Sequence, residues 1–96
     1  MVIVGGFNVY PAEVEKALLQ HPQISDVAVT GKPDTRLGEV THAHIVITAD
    51  VSKEDIISWS REHMANYKVP RHISFHETLP RNASGKVQKF LLNRSK

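Results

Sequence analysis

The spacing of apolar residues changes along this chain, and each change marks a new element. Val14, Ala17 and Leu18 fall at i, i+3 and i+4, which predicts a helix over about 11–20. Pro11 suits the first helical position, Glu13 and Glu15 sit in the first turn where the helix dipole favours acids, and Pro22 stops the helix. "ISDVAVTG" then alternates as a strand, with Val27 and Val29 on one side and Asp26, Ala28 and Thr30 on the other. "KPDTRLGE" reads as a loop by its Pro, Asp and Gly content. "VTHAHIVIT" is a second strand, with Ala43, Ile45 and Ile47 on one face and His42 and His44 on the other. Helical spacing returns over about 53–65 with Ile56, Ile57, Trp59, Ser60, His63 and Met64, behind a capping-box pair of Ser52 and Asp55. "YKVP" leaves that helix, "HISFHE" alternates as a third strand with Ile73 and Phe75 inward, and Val87, Phe90 and Leu91 predict a short C-terminal helix. The expected class is α+β: one small domain with a three-stranded sheet flanked by helices.

Composition narrows the picture. Ninety-six residues at 41% hydrophobic content suit one domain with a small core, which buries roughly two-thirds of its surface at best. No apolar run approaches the length of a membrane span, about 18 residues. The start, "MVIVGGFNVYP", lacks the basic region of a signal peptide. It begins inside an apolar stretch, which suggests an excised or truncated piece. With no cysteine, the chain has no disulfide, thiolate metal site or cysteine nucleophile, and it fits a reducing compartment.

Charge is uneven. Residues 1–60 carry a net −4 and residues 61–96 a net +6, and from Arg81 onward there are five basic residues and no acid. Such a tail suits an anionic partner or a solvated helix end. Lys86 stands out there, behind Ser84 and Gly85 in the loop "LPRNASGK". It is not a phosphate loop of the G-x-x-x-x-G-K-[ST] kind, because Pro80 and Val87 occupy the positions of the first glycine and the hydroxyl residue. What remains is an ammonium close to Arg81 and Lys89, able to bridge several anionic oxygens at once. His42 and His44 have the i, i+2 spacing of a strand metal pair, but no third ligand is evident and they read as exposed strand histidines. Gly5 and Gly6 allow a tight turn and also close backbone approach to a ligand. A nucleic-acid binder rests only on the basic second half, since the aromatic residues do not interleave with basic ones.

Four stretches, "GGFNVYPAEVE", "HPQISDVAVTGKPDTRLGE", "MANYKVPRHISF" and "LPRNASGKVQK", together resemble the C-terminal domain of AMP-forming acyl-CoA synthetases. That superfamily also holds nonribosomal adenylation domains and luciferases. The resemblance spans nearly the whole chain and is nearest to the fatty-acyl-CoA ligase branch. It implies that residues 1–96 are a lid domain whose N-terminal adenylate-binding domain lies elsewhere. The isolated chain is then expected to be inactive, and the enzyme cytoplasmic. The reaction implied joins a small-molecule carboxylic acid, ATP and CoA into acyl-CoA, AMP and pyrophosphate, with Mg2+ expected through the N-terminal domain. By resemblance, Lys86 is the adenylation lysine. Gly5 and Gly6 match the loop along which the pantetheine arm passes, Leu37 and Tyr67 line or cap the CoA site, and Lys68 is a phosphate contact beside them. The family also implies that a lysine acetyltransferase can act on Lys86, whose charge acetylation would remove. The rival expectation is a stand-alone, non-catalytic binding or interaction module on the same fold.

Overall fold

In the computed structural model, which describes residues 1–94, two very short strands precede the first helix: β1 (Val2–Val4) and β2 (Phe7–Val9). They are followed by α1 (Pro11–Leu18), β3 (Ile24–Asp34), β4 (Gly38–Ile47), α2 (Lys53–His63), a 3-10 turn (Asn66–Lys68), β5 (His72–Phe75) and α3 (Lys89–Arg94). Lys96, the last residue of the basic tail, lies outside the described residues. The class is α+β as expected, but the sheet has five strands rather than three. The difference is the β1–β2 hairpin. Its three-residue strands are too short for an alternating pattern to show in the sequence.

The sheet order is β2-β1-β4-β3, and β5 lies parallel to β4 on the side where β1 also pairs. The α2 helix makes the crossover that a parallel β4–β5 pair requires. Strand β3 pairs with β4 from Ile24 opposite Ile47 to Asp34 opposite Gly38. Most of the expected "KPDTRLGE" loop is therefore strand, and only Thr35–Leu37 turn. Asp34 Oδ1 closes that turn by accepting from the backbone N–H groups of Arg36 and Leu37, both at 2.9 Å. Pro33 fits because β3 is an edge strand and the missing N–H faces away from β4.

Both sheet faces are covered, and this overrides the alternation read from the sequence. On one face Val14 and Leu18 of α1 and Ile56 of α2 pack with Val29, Ala43, Ile45 and Ile73. On the other, Leu79 and Leu92 close over Ala28, with Val46 and Val87 at the margin. Ala28 and Thr30 are accordingly buried as well as Val27 and Val29. Phe75 is not inward: it lies on the last residue of a sheet-edge strand and is exposed. Phe90 is likewise exposed, and Leu92 takes the core position in α3. Ser52 caps α2 as expected, its Oγ accepting from Asp55 N–H at 3.1 Å.

The strand histidines are the largest departure. His44 is buried, not exposed, and its ring is satisfied on both sides, by Thr30 Oγ1 at 3.2 Å and His76 Nε2 at 3.0 Å. His42 stacks on it with ring centroids 4.0 Å apart and bonds Ser74 Oγ at 2.7 Å. Burial, aided by the neighbouring His42 and His76, holds the pKa of His44 down to about 4. Burial does the same for His42, aided by Lys32 and His72. Both rings are therefore neutral in the folded chain under conditions where an unfolded histidine takes up a proton.

The folded state binds fewer protons than the unfolded state between pH 6.5 and about 4. The stability these rings contribute is complete above that window. It is expected to be lost as pH falls through it, by on the order of 3 kcal/mol for a ring as buried as His44. Urea unfolding across a pH series checks this. His44→Phe should flatten the decline between pH 6.5 and 4, and an unchanged slope would place the acid sensitivity elsewhere.

Candidate functional site

The sequence-predicted residues form two separate groups. The first is the loop that carries Lys86. Arg81 and Val87 form an isolated antiparallel bridge, Asn82 N–H donates to Lys86 O at 3.0 Å, and Gln88 N–H donates to Pro80 O at 2.8 Å, so the loop folds back on itself. Asn82 fills its interior, with Oδ1 accepting from both Ser84 N–H and Lys86 N–H at 3.0 Å. Gly85 supplies the left-handed corner at φ 83°. Arg81 fastens the loop to the body, donating to Gly85 O at 2.6 Å and pairing with Asp26 of β3. Lys86 is thus exposed on a loop whose backbone is fixed, and its ammonium has no ion pair among the described residues. It borders an open cleft of ≈ 770 Å³ lined also by Ala28, Arg81, Asn82 and Lys89.

The second group gathers around the β1–β2 turn. Gly5 and Gly6 have φ of 55° and 88°, the geometry of a two-residue type I′ hairpin turn that suits the twist of the strands it joins. Gly5 N–H donates to Leu37 O at 3.0 Å, and a Cβ on Gly5 would stand 3.2 Å from Leu37 Cδ2. A Cβ on Gly6 would meet nothing within 4 Å, so that glycine presents bare backbone to open space. Phe7, next in the chain, stacks on Tyr67 with centroids 4.5 Å apart. Lys68 stands 5.7 Å from the Tyr67 ring centroid and is paired with Glu13 at 2.9 Å, and that bond raises its pKa. Gly5, Gly6, Leu37, Tyr67 and Lys68 therefore form one cluster, and Lys86 is not part of it.

Three further features carry little or no signal in the sequence. Phe7 joins the cluster only because the hairpin turn carries it onto Tyr67. Arg61, Asn66 and Arg71 share a cavity of ≈ 380 Å³ with Val69 and Pro70 next to Tyr67, and neither arginine is ion-paired among the described residues. They come from α2, the 3-10 turn and the approach to β5, which no periodicity links. Asn82 carries the strongest signal of the three, because Asn-Ala-Ser-Gly at 82–85 is turn chemistry. Among the described residues no three His, Asp or Glu side chains converge as metal ligands, and no helix is long and apolar enough to cross a membrane.

Residues 13–86 match the family described as AMP-binding enzyme C-terminal domain. A 3-[(3aS,4S,7aS)-7a-methyl-1,5-dioxo-octahydro-1H-inden-4-yl]propanoyl:CoA ligase of Rhodococcus jostii is 48% identical over 98 residues, covering 100% of this chain and 19% of that protein. A 2-succinylbenzoate–CoA ligase of Bacillus velezensis is 45% identical, covering 97% of this chain and 19% of its own length. The o-succinylbenzoate CoA synthetase of Bacillus subtilis, solved with its acyl-adenylate intermediate, superposes with a TM-score of 0.91 at 39% identity, over 99% of this chain and 20% of that one. The chain thus spans about a fifth of the length of the curated relatives it matches.

The bonding inside the Lys86 loop yields an expectation. Asn82→Ala leaves the N–H groups of Ser84 and Lys86 without their acceptor. The loop is exposed and water can replace part of the loss, so the cost in global stability should stay within about 1 kcal/mol. Hydrogen exchange at residues 83–86 should quicken well beyond that of β3 and β4. Exchange as slow as in the parent would mean that Asn82 does not hold the loop.

Proposed function

The chain belongs to the AMP-binding enzyme C-terminal domain family, and we propose that it is the mobile C-terminal domain of an AMP-forming acyl-CoA synthetase that works together with an N-terminal adenylate-binding domain. The observation that carries this reading is the separation just described. One fixed loop offers an exposed ammonium with no ion pair among the described residues, and a second, distinct turn offers bare glycine backbone beside an aromatic and cationic cluster. Two half-reactions with different needs suit two such sites on one small body.

In the first half-reaction the substrate carboxylate attacks the α-phosphate of ATP, the bond to the β-phosphate breaks, and acyl-adenylate and pyrophosphate result. Negative charge gathers between the carboxylate and the α-phosphate. Lys86 supplies a positive charge there, and its backbone is already held by Asn82 and Arg81, so little reorganisation is needed. The Mg2+ that accompanies ATP belongs, in this reading, to the N-terminal domain. In the second half-reaction the domain turns as a unit and presents the Gly5–Gly6 turn. The pantetheine arm of CoA passes over the open face of Gly6, beside Leu37 and the Phe7–Tyr67 stack. The CoA thiolate attacks the acyl carbonyl, AMP leaves, and the thioester forms. Lys68, with Arg61 and Arg71 in the neighbouring cavity, suits the phosphates of CoA. The acid itself is assigned only as a carboxylic acid. The relatives include ligases of a bicyclic propanoate and of succinylbenzoate and a fatty acyl CoA synthetase of Mycobacterium tuberculosis, so they do not single out the fatty-acyl branch.

Two variants of the complete enzyme test this reading. Lys86→Ala should slow acid-dependent pyrophosphate exchange by on the order of a hundredfold or more, the usual cost of one preorganised charge. CoA acylation from supplied acyl-adenylate should be nearly unchanged, and equal losses in both assays would refute the two-site assignment. Gly6→Leu should do the reverse, because its side chain would lie across the pantetheine path while exchange needs nothing from that turn. Loss of exchange in a folded Gly6→Leu enzyme would move the glycines to the adenylation site.

A further inference from the structure

Helix α1 touches both groups, and it does so through two acids on either side of one buried residue. Val14 points into the core and is almost fully buried. Glu13 and Glu15 therefore stand about 100° to either side of it around the helix. Glu13 reaches one way and pairs with Lys68 at 2.9 Å. Lys68 follows Tyr67, whose ring stacks on Phe7 beside the glycine turn. Glu15 reaches the other way. Its Oε2 accepts from Val29 N–H on the free edge of β3 at 2.8 Å and from Lys89 Nζ at 2.8 Å. Lys89 is the first residue of α3 and lies three positions after Lys86. The Lys86 loop is thus fixed at its entrance by Arg81 on Asp26 and at its exit by Lys89 on Glu15.

We propose that Glu13 and Glu15 are positioning residues with divided duties: Glu15 sets the Lys86 loop for adenylation and Glu13 sets the Tyr67–Lys68 cluster for thioester formation. The proposal rests on the two-site reading above. Neither carboxylate meets a reacting atom in that reading, and each acts through the lysine it holds. Because both sit on one helix turn, the helix fixes the spacing between the two sites as the domain turns. Rotation then exchanges the sites without altering either.

The experiment uses the complete enzyme, with pyrophosphate exchange and CoA acylation from supplied acyl-adenylate measured side by side. Glu15→Gln keeps an acceptor for Val29 N–H but drops the charge that holds Lys89. It should slow exchange about two- to fivefold, the range a half-exposed ion pair can supply, and leave CoA acylation within error. Glu13→Gln should slow CoA acylation by a similar factor and spare exchange. Lys89→Met should match Glu15→Gln, and the double variant should be no slower than either single, as expected of two residues that act through one contact. Thermal unfolding supplies the control, since mere loss of stability would depress both assays together. Equal losses in the two assays for either variant, no loss in either, or additive effects of Glu15→Gln and Lys89→Met would each overturn the proposal. Lys86→Ala and Gly6→Leu run alongside as references. If they separate the half-reactions and the glutamate variants do not, only the division of duties is wrong. If the references themselves do not separate, the two-site reading and this proposal fall together.

Discussion

The hydrogen-bonding of β4 is the constraint on which the rest of this domain depends. One side of β4 carries β3 over its whole length, and the other carries β1 at its start and β5 further along. Every strand but β2 is therefore placed by this one segment. Its residues 40–45 are almost wholly buried, apart from His42, because helices and a loop cover both sheet faces. A slip of one residue would reverse every side chain on β4, sending Ala43 and Ile45 to the histidine side and the histidines into the apolar core. The register is thus fixed by burial and by the His44 bonds to Thr30 and His76 together.

The sequence made the fold legible wherever one face of an element is buried and one is wet. Both long helices emerged within two residues at each end, from Val14–Leu18 and from Ile56–Ser60, with Ser52 marking a start. Strand β5 and the α3 helix were also legible. The reading failed where tertiary context decides. The β1–β2 hairpin is too short to carry a period, and the continuation of β3 through Pro33 depends on its being an edge. His44 looks like a surface residue until α3 and the Leu79 region cover that side of the sheet. Of the candidate site, the glycines, Leu37, Tyr67, Lys68 and Lys86 were identified through the family resemblance. Their division into two groups was not, because it arises from sheet order, which places the glycine turn and β3 on opposite sides of β4.

The two groups differ in how they are built. The Lys86 loop is polar and almost entirely self-bonded, held by Asn82, Gly85 and Arg81. Its geometry is a property of the loop, and the body supplies only an anchor. The glycine turn is the opposite case. It is short, and its conformation comes from backbone that only glycine adopts easily, while its position comes from Leu37 and the Phe7–Tyr67 stack. The first construction fixes where a charge stands, and the second leaves bare backbone facing open space.

The carboxylates along β3 have a further consequence. An edge strand normally offers a row of unpaired N–H groups to any passing chain. Here Val27 N–H is taken by Asp26 and Val29 N–H by Glu15. A foreign strand would have to displace both acids and break the ion pairs they make with Arg81 and Lys89. The same side chains that anchor the lysine loop thereby blunt the sheet's exposed border against self-association.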